Sequence, residues 1–383
     1  MPNLRFPEFS GEWETKRLDE CASFLDEQRK PIKSTERSSE FKLYPYYGAS
    51  GVIDYIDDYI FDEDLILLSE DGANILDRNY RVAFIVTGKT WVNNHAHVLR
   101  PVNDVDISYL SEYLESLRYE KYNTGSTMPK LNQEVCRGIR VWTPKYEEQK
   151  KIGRLLSAIN ERIETQKKII EDLKKLKDAI NNSLHNNIKD YQIFSFNELG
   201  NDYSGLTGKS SDDFGYGYPY ISYLNVFRNN IVTDGQFEYV KVADGERQNI
   251  VQHGDLLFTL SSETPSEVGI GAIYLGETYP LYLNSFCFGV HFSNQEHIFG
   301  PYLAHFVASQ YFRRTILPFA QGSTRYNLMK SDIMKHKFYF PSFERQIEIH
   351  NALYALSVKV QNEEVCLNKY STQKQYLLAK MFI

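Results

Sequence analysis

At 383 residues, with 42% hydrophobic and 14% aromatic side chains, the chain exceeds one typical domain and suits two globular units joined by connecting helices. Its four cysteines, Cys21, Cys136, Cys287 and Cys366, stand singly without a CxxC pair, which argues against structural zinc and for a reducing compartment; the opening Met1-Pro2-Asn3-Leu4-Arg5-Phe6 lacks a signal-peptide core and no run of about 18 apolar residues exists to span a bilayer, so a cytoplasmic location is expected. The net charge of −7 argues against general electrostatic binding of nucleic acid, so any such binding needs local patches or positive potential supplied by a partner.

Residues 1–143 are acidic, with 17 basic against 24 acidic side chains. They open on Trp13-Glu14-Thr15-Lys16-Arg17-Leu18, followed by a polar excursion from Glu27 to Glu40. Short strands are predicted at Tyr44–Gly48, Gly51–Ile56, Asp64–Ser69, Val82–Val86 and Trp91–Val98, because β-branched and aromatic runs alternate there with turn residues. A helix is predicted around Tyr109, Leu110, Tyr113, Leu114 and Leu117, and a Gly125-Ser126-Thr127 loop follows. The short spacings imply a mixed α+β unit, mostly antiparallel.

From Pro144 a heptad helix is predicted. Its seam reads Ile152, Leu156, Ile159, Ile163, Gln166, Ile170, Leu173, Lys177, Ile180, Leu184. Residues 191–340 then repeat the first plan. Asp255-Leu256-Leu257-Phe258 answers Asp64-Leu65-Ile66-Leu67, Tyr282-Leu283-Asn284 answers Trp91-Val92-Asn93, and Tyr302-Leu303 answers Tyr109-Leu110. A shift of 197 positions carries Gly125-Ser126-Thr127 onto Gly322-Ser323-Thr324, Pro144 onto Pro341, and Glu147 and Gln149 onto Glu344 and Gln346. A second heptad helix follows, through Ile349, Leu353, Leu356, Val360, Glu363, Leu367, Tyr370, Lys374, Leu377 and Met381, with its polar interruptions in step with the first. One helix cannot cover such a stripe alone, so each needs a partner, and the simplest closure pairs the two copies antiparallel as a stiff spacer. The expected order is a globular domain at 1–143, a long helix at 144–190, a second globular domain at 191–340 and a long helix at 341–383: an α+β chain with an internal, pseudo-two-fold repeat.

Catalytic signatures are missing. Gly205-Leu206-Thr207-Gly208-Lys209-Ser210 lacks the earlier glycine of a phosphate-binding loop, since Tyr203 stands at that position. His95-Ala96-His97 places two imidazoles on one predicted strand face without a third ligand cluster, so no metal site is expected. Neither the Asn/Asp-Pro-Pro-aromatic signature of adenine amino-methyltransferases nor a glycine-rich cofactor loop occurs. The chain therefore reads as a non-catalytic protein.

The doubled pattern resembles the specificity subunit of type I restriction-modification enzymes along essentially the whole chain. The residues that carry this are Trp13–Leu18, Tyr44-Pro45-Tyr46-Tyr47-Gly48, Trp91-Val92-Asn93-Asn94-His95, Gly205–Lys209 with Tyr218-Pro219-Tyr220-Ile221, and above all the pair Pro144–Gln149 and Pro341–Gln346 with a Gly-Ser-Thr upstream of each. The resemblance implies two target recognition domains, each reading one half of a split, asymmetric site in double-stranded DNA. It implies long helices that set the spacing and dock two methyltransferase subunits, with restriction and translocase subunits joining through them. S-adenosylmethionine and ATP with Mg²⁺ are then expected on those partners, and no cofactor or metal on this chain.

Base readers should be loop residues with guanidinium, amine, amide or aromatic groups. The candidates are Lys89, Asn93, His95, Lys130 and Asn132 in the first domain, and Lys209, Arg228, Arg325, Tyr326 and Asn327 in the second. Ser126, Thr127, Ser323 and Thr324 sit in loops that read equally as anion sites beside phosphate or as tight turns. Gln149 and Gln346 are candidates for docking the methyltransferase, or for packing the first helical turn. The alternative to DNA reading is a duplicated coiled-coil scaffold without base recognition, which the negative charge favours.

Overall fold

A computed structural model describes residues 2–37, 42–186, 190–235, 237–293 and 296–382. The end of the polar excursion at 38–40 and the end of the first predicted helical segment at 187–189 lie outside them. The chain forms two compact units, Met1–Lys168 with Glu364–Ile383, and Ile169–Glu363.

In the first unit a four-stranded antiparallel sheet runs in the order Ala22–Phe24, Ala96–Pro101, Leu65–Ser69, Ala83–Val86. Its central strand is buried at every position, because both faces are covered. The two-residue period sends Ile66 and Leu68 into one core and Leu65 and Leu67 into the other. The second sheet orders Gly51–Ile56, Tyr44–Gly48, Lys89–Val92 and Phe61–Asp62, and only the Tyr44–Gly48 and Lys89–Val92 pair is parallel. The run predicted as one strand from Trp91 to Val98 is therefore two strands in two sheets. Asn93 breaks it: its Oδ1 accepts the His95 amide at 2.8 Å, while its own amide donates to the Tyr47 carbonyl. Such a side-chain turn competes with the strand ladder.

The second unit repeats this plan. Gly200–Ser204, Cys287–Phe292, Leu256–Thr259 and Gly271–Tyr274 form the equivalent antiparallel order, and a short strand, Ile231–Val232, adds in parallel at the edge. The parallel pair recurs between Phe214–Ile221 and Tyr282–Leu283. In each unit a small two-stranded ribbon leads into a long helix: Glu14–Arg17 with Arg140–Thr143, and Tyr191–Ser195 with Lys337–Pro341.

The long helices run Tyr146–Asn186 and Phe343–Met381. None of the twenty seam positions read from the sequence is exposed. In the first unit, Ile152 and Leu156 from the start of the first helix share a core with Leu377, Leu378 and Met381 from the end of the second. In the second unit, Ile180 and Leu184 meet Ile349, Leu353 and Leu356. Start lies beside end each time, so the pairing within each unit is antiparallel, as expected. The helices also close the cores of the globular parts: Phe382 packs edge-on against Tyr109 and Tyr113, at 5.6 and 5.3 Å between centroids.

Each helix start is tied to its unit by one buried glutamine. Gln149 Oε1 accepts the Asp106 amide at 3.0 Å, and its Nε2 donates to the carbonyls of Pro144 (2.8 Å) and Asp104 (3.2 Å). Gln346 does the same with the Phe299 amide (2.9 Å) and the carbonyls of His297 (2.8 Å) and Pro341 (3.0 Å). Both side chains are almost wholly buried, so neither amide has a face or a free donor to offer a methyltransferase, and of the two readings entertained for them first-turn packing is the one the geometry fits. Replacing either glutamine by alanine strands backbone groups in the interior and should cost about 1–3 kcal/mol, read as a lower denaturation midpoint for the unit concerned. An unchanged midpoint with weakened partner capture would instead restore the docking role.

Candidate nucleic-acid interface

In both units the glycine of the Gly-Ser-Thr loop is required by the turn itself. A Cβ on Gly125 would lie 1.8 Å from the Met128 carbonyl oxygen, and one on Gly322, at φ +135°, would lie 2.1 Å from that of Arg325. The loop folds back over its own glycine and leaves Ser126, Thr127, Ser323 and Thr324 exposed at the tip. The Gly125 amide already donates to Asn123 Oδ1 at 3.0 Å, so it is not free to hold an anion.

The first loop is anchored by a buried ionic network. Leu131 donates its amide to the Glu70 carbonyl at 2.7 Å, and Gly72 donates to that of Pro129. Beneath the loop, His97 Nδ1 meets Asp26 at 2.6 Å and its Nε2 meets the Leu131 carbonyl at 2.8 Å. Two acceptors on two ring nitrogens require the doubly protonated imidazolium. Burial alone would favour the neutral ring, but the hydrogen bond to Asp26, with a further contribution from Cys136, outweighs it and raises the His97 pKa to about 10. Asp26 is likewise opposed by burial, yet its contacts with His97, the Val98 amide and Arg29 hold its carboxyl below the usual range. Glu70 completes the network through Arg29 at 2.7 Å and Lys130 at 3.4 Å. Ligand atoms of Asp26, Glu70 and His97 lie within 4.8 Å of one another, but Arg29 stands among them and supplies the positive charge a cation would bring. The two imidazoles of His95-Ala96-His97 do not converge as the strand reading had them. His95 lies in the Asn93 turn, half exposed, with Nδ1 2.9 Å from Asp71.

Several candidate base readers are spent on the fold. Asn93 is buried in its turn. The Lys209 ammonium is 2.7 Å from Glu246 Oε2 with its side chain only 7% exposed; Lys209, Gln248 and the Ala243 amide together hold the Glu246 carboxyl down to about 2. Asn132 caps the helix Gln133–Arg137 by accepting the Val135 amide at 2.9 Å. Lys89 stands on the second sheet over the rings of Tyr59 and Tyr44, at 4.6 and 5.7 Å, away from the loop cluster. Arg228 is exposed at the end of the helix Tyr223–Arg228. Tyr326 and Asn327 lie on a strand paired with Ser261–Ser262, with Asn327 exposed.

The structure does bring some together. His95 shares Asp71 with the loop, since Asp71 bridges Lys130 in the backbone ladder. In the second unit Arg325 holds its guanidinium 5.8 Å from the centroid of Phe286. Phe286 occupies the place of His95: Asn284 Oδ1 accepts the Phe286 amide at 2.9 Å, as Asn93 does for His95. The sequence held the signal, because the match of Asn93 to Asn284 continued for two residues reaches Phe286.

Residues 10–175 match the type I restriction modification DNA specificity domain. Over 148 residues the chain is 34% identical to a putative type I restriction enzyme specificity subunit of Haemophilus influenzae, covering 39% of this chain and 37% of that protein. It is 25% identical over 215 residues to the MjaVIII specificity subunit of Methanocaldococcus jannaschii, covering 52% and 48%. The matches thus span less than half of either relative. The fold follows that of the type I restriction-modification S subunit from M. genitalium, with a TM-score of 0.62 at 16% identity over 100% of this chain and 99% of the other. A chain from a study of type I assembly and conformational transition matches with a TM-score of 0.58 at 13% identity, covering 97% and 98%. The strand order of the matched stretch recurs in the second unit.

Burial favours the neutral ring for histidines in both units, and for His97 in the first the hydrogen bond to Asp26 overturns it. In the second unit, burial drives His185 down to about 4; it also drives His305, with His350 and Lys177 adding to it, to about 3. These two are neutral when folded, so their contribution is intact above about pH 6.5 and is lost as pH falls toward 4. His97 in the first unit is charged when folded, so its contribution is intact below about 6.5 and is lost as pH rises toward 10. Hydrogen exchange across pH is expected to show the second unit opening first in acid and the first unit opening first in alkali. Asp26→Asn should cost the first unit about 3–5 kcal/mol by leaving a buried charge unpaired and should flatten its alkaline slope.

Proposed function

We propose that this chain is the DNA sequence-specificity subunit of a type I restriction-modification system. Each unit reads one half of an asymmetric, bipartite site in double-stranded DNA, and the long helices set the unread spacing and dock two methyltransferase subunits, through which restriction and translocase subunits join. S-adenosylmethionine and ATP with Mg²⁺ act on those partners; this chain carries no cofactor and performs no chemistry. Such a complex works in the cytoplasm. The observation that supports this most directly is the duplication itself. A unit that matches the specificity-domain family is followed by a second with the same strand order, and the two carry different exposed side chains on equivalent turns, His95 and Met128 against Phe286 and Arg325. Equal scaffolds with unequal tips are what an asymmetric site requires.

The acidic balance of both globular parts fits a reader whose phosphate contacts come largely from partner subunits. No helix among the described residues is long and apolar enough to cross a membrane.

Mapping modified adenines in cells that express the chain with its methyltransferase is expected to return a single motif with two unlike halves and an unread gap. Loss of all sequence selectivity would favour the scaffold reading. Within the motif, Arg325→Ala should relax one position of the second half by about 1–3 kcal/mol, whereas Ser323→Ala and Thr324→Ala should weaken every duplex alike, as measured by binding to a panel of single-base variants.

A further inference from the structure

Phe286 is the only phenylalanine among the described residues that is exposed, at 55%. It is not on a loose segment. Its amide donates to Asn284 Oδ1 at 2.9 Å, its carbonyl accepts the Leu260 amide at 2.8 Å, the Asn284 amide donates to the Ile221 carbonyl, and the Cys287 amide closes the turn on the Asn284 carbonyl at 3.0 Å. A rigid turn thus holds an apolar ring in water, next to a cavity of about 460 Å³ lined by Gly208, Ser210, Ser211, Asn284 and Ser285 among others. Ordering the ring beforehand lowers the cost of binding whatever it meets.

We propose that Phe286 is a specificity-determining residue that reads the C5-methyl group of one thymine in the second half-site; the proposal rests on the DNA-reading function above. Three features select this contact. The Arg325 guanidinium lies over one face of the ring, 5.8 Å from its centroid, so the ring cannot slide between two base planes as a wedge, which needs both faces free. The ring is 55% exposed, and the group on a base edge that an apolar ring recognises is the thymine methyl. Exposed Ser323, Thr324 and Arg325 follow one another in the adjoining loop, so donors for phosphate or a neighbouring base stand beside the apolar contact. In the first unit the equivalent turn presents His95 against Asp71, a polar tip suited to a different base. The two units thus differ in the chemistry of a single equivalent position.

The test uses the chain in complex with its methyltransferase, on the motif found by methylation mapping. Each thymine of the second half-site is replaced in turn by deoxyuridine, which lacks only the methyl group. Wild type is expected to lose about 4- to 10-fold in affinity at one position, the worth of a buried methyl group, and to be indifferent at the others. Phe286→Ala should bind the unmodified duplex with the same loss and show no further loss with deoxyuridine there, while keeping its discrimination at the first half-site as evidence that it is folded. Phe286→Leu should restore part of the sensitivity. The proposal is overturned if wild type is indifferent to deoxyuridine at every thymine, or if Phe286→Ala remains sensitive. If the complex discriminates among no duplexes at all, the DNA-reading function itself fails, an outcome distinct from a selective complex that ignores the methyl group.

Discussion

The main hydrophobic core of each globular part is completed by the apolar stripe of the long helices. Tyr109, Tyr113 and Leu114 share a core with Ile152 and Leu156 from one helix and with Met381 and Phe382 at the end of the other. Tyr302, Phe306 and Phe340 are completed in the same way by Ile349 and Leu353, with Ile180 and Leu184 packed against them. Burial of this kind is non-directional and would tolerate a slide along the helix. Direction and register come from the buried glutamines, whose three hydrogen bonds can be made only when the helix start sits against the turn before the neighbouring short helix. Hydrophobic area provides most of the stabilisation and a single amide provides the alignment.

Around that shared frame the two units have diverged in their polar chemistry. In the first, Glu112 lies buried between the short helix and both long helices, meeting Arg81, Asn160 at 2.7 Å and Lys374 at 3.4 Å. Lys374 is one of the polar interruptions of the seam, and its charge answers a carboxylate that the globular part places there. The equivalent position in the second unit is His305, which burial keeps neutral beside His185 and His350. One repeat therefore solves its junction with paired charges and the other with uncharged rings. The same contrast recurs at the turn tips, where His95 with Asp71 faces solvent in one unit and Phe286 with Arg325 in the other. A scaffold that holds backbone positions constant leaves such side chains free to change.

The sequence by itself determined the repeat, the α+β class, the central strands and the seam, because these depend on periodicities of two and of three to four residues that local order displays directly. It also located the Gly-Ser-Thr loops and the residue types around them. Only the tertiary structure decided which candidate side chains remain free. Lys209 is spent on Glu246, 37 positions away, His97 on Asp26, 71 positions away, and Gln149 on backbone groups more than 40 positions before it. The Trp91–Val98 run looked like one strand because its hydrophobic alternation continues through the turn, and the Asn93 hydrogen bond that breaks it needs the neighbouring strand to anchor the chain. Phe286, conversely, stands two residues from the buried Phe288, and only the fold leaves it in water. Burial and pairing are set by what meets across long separations in the chain, and a pattern confined to neighbours in sequence carries no record of that.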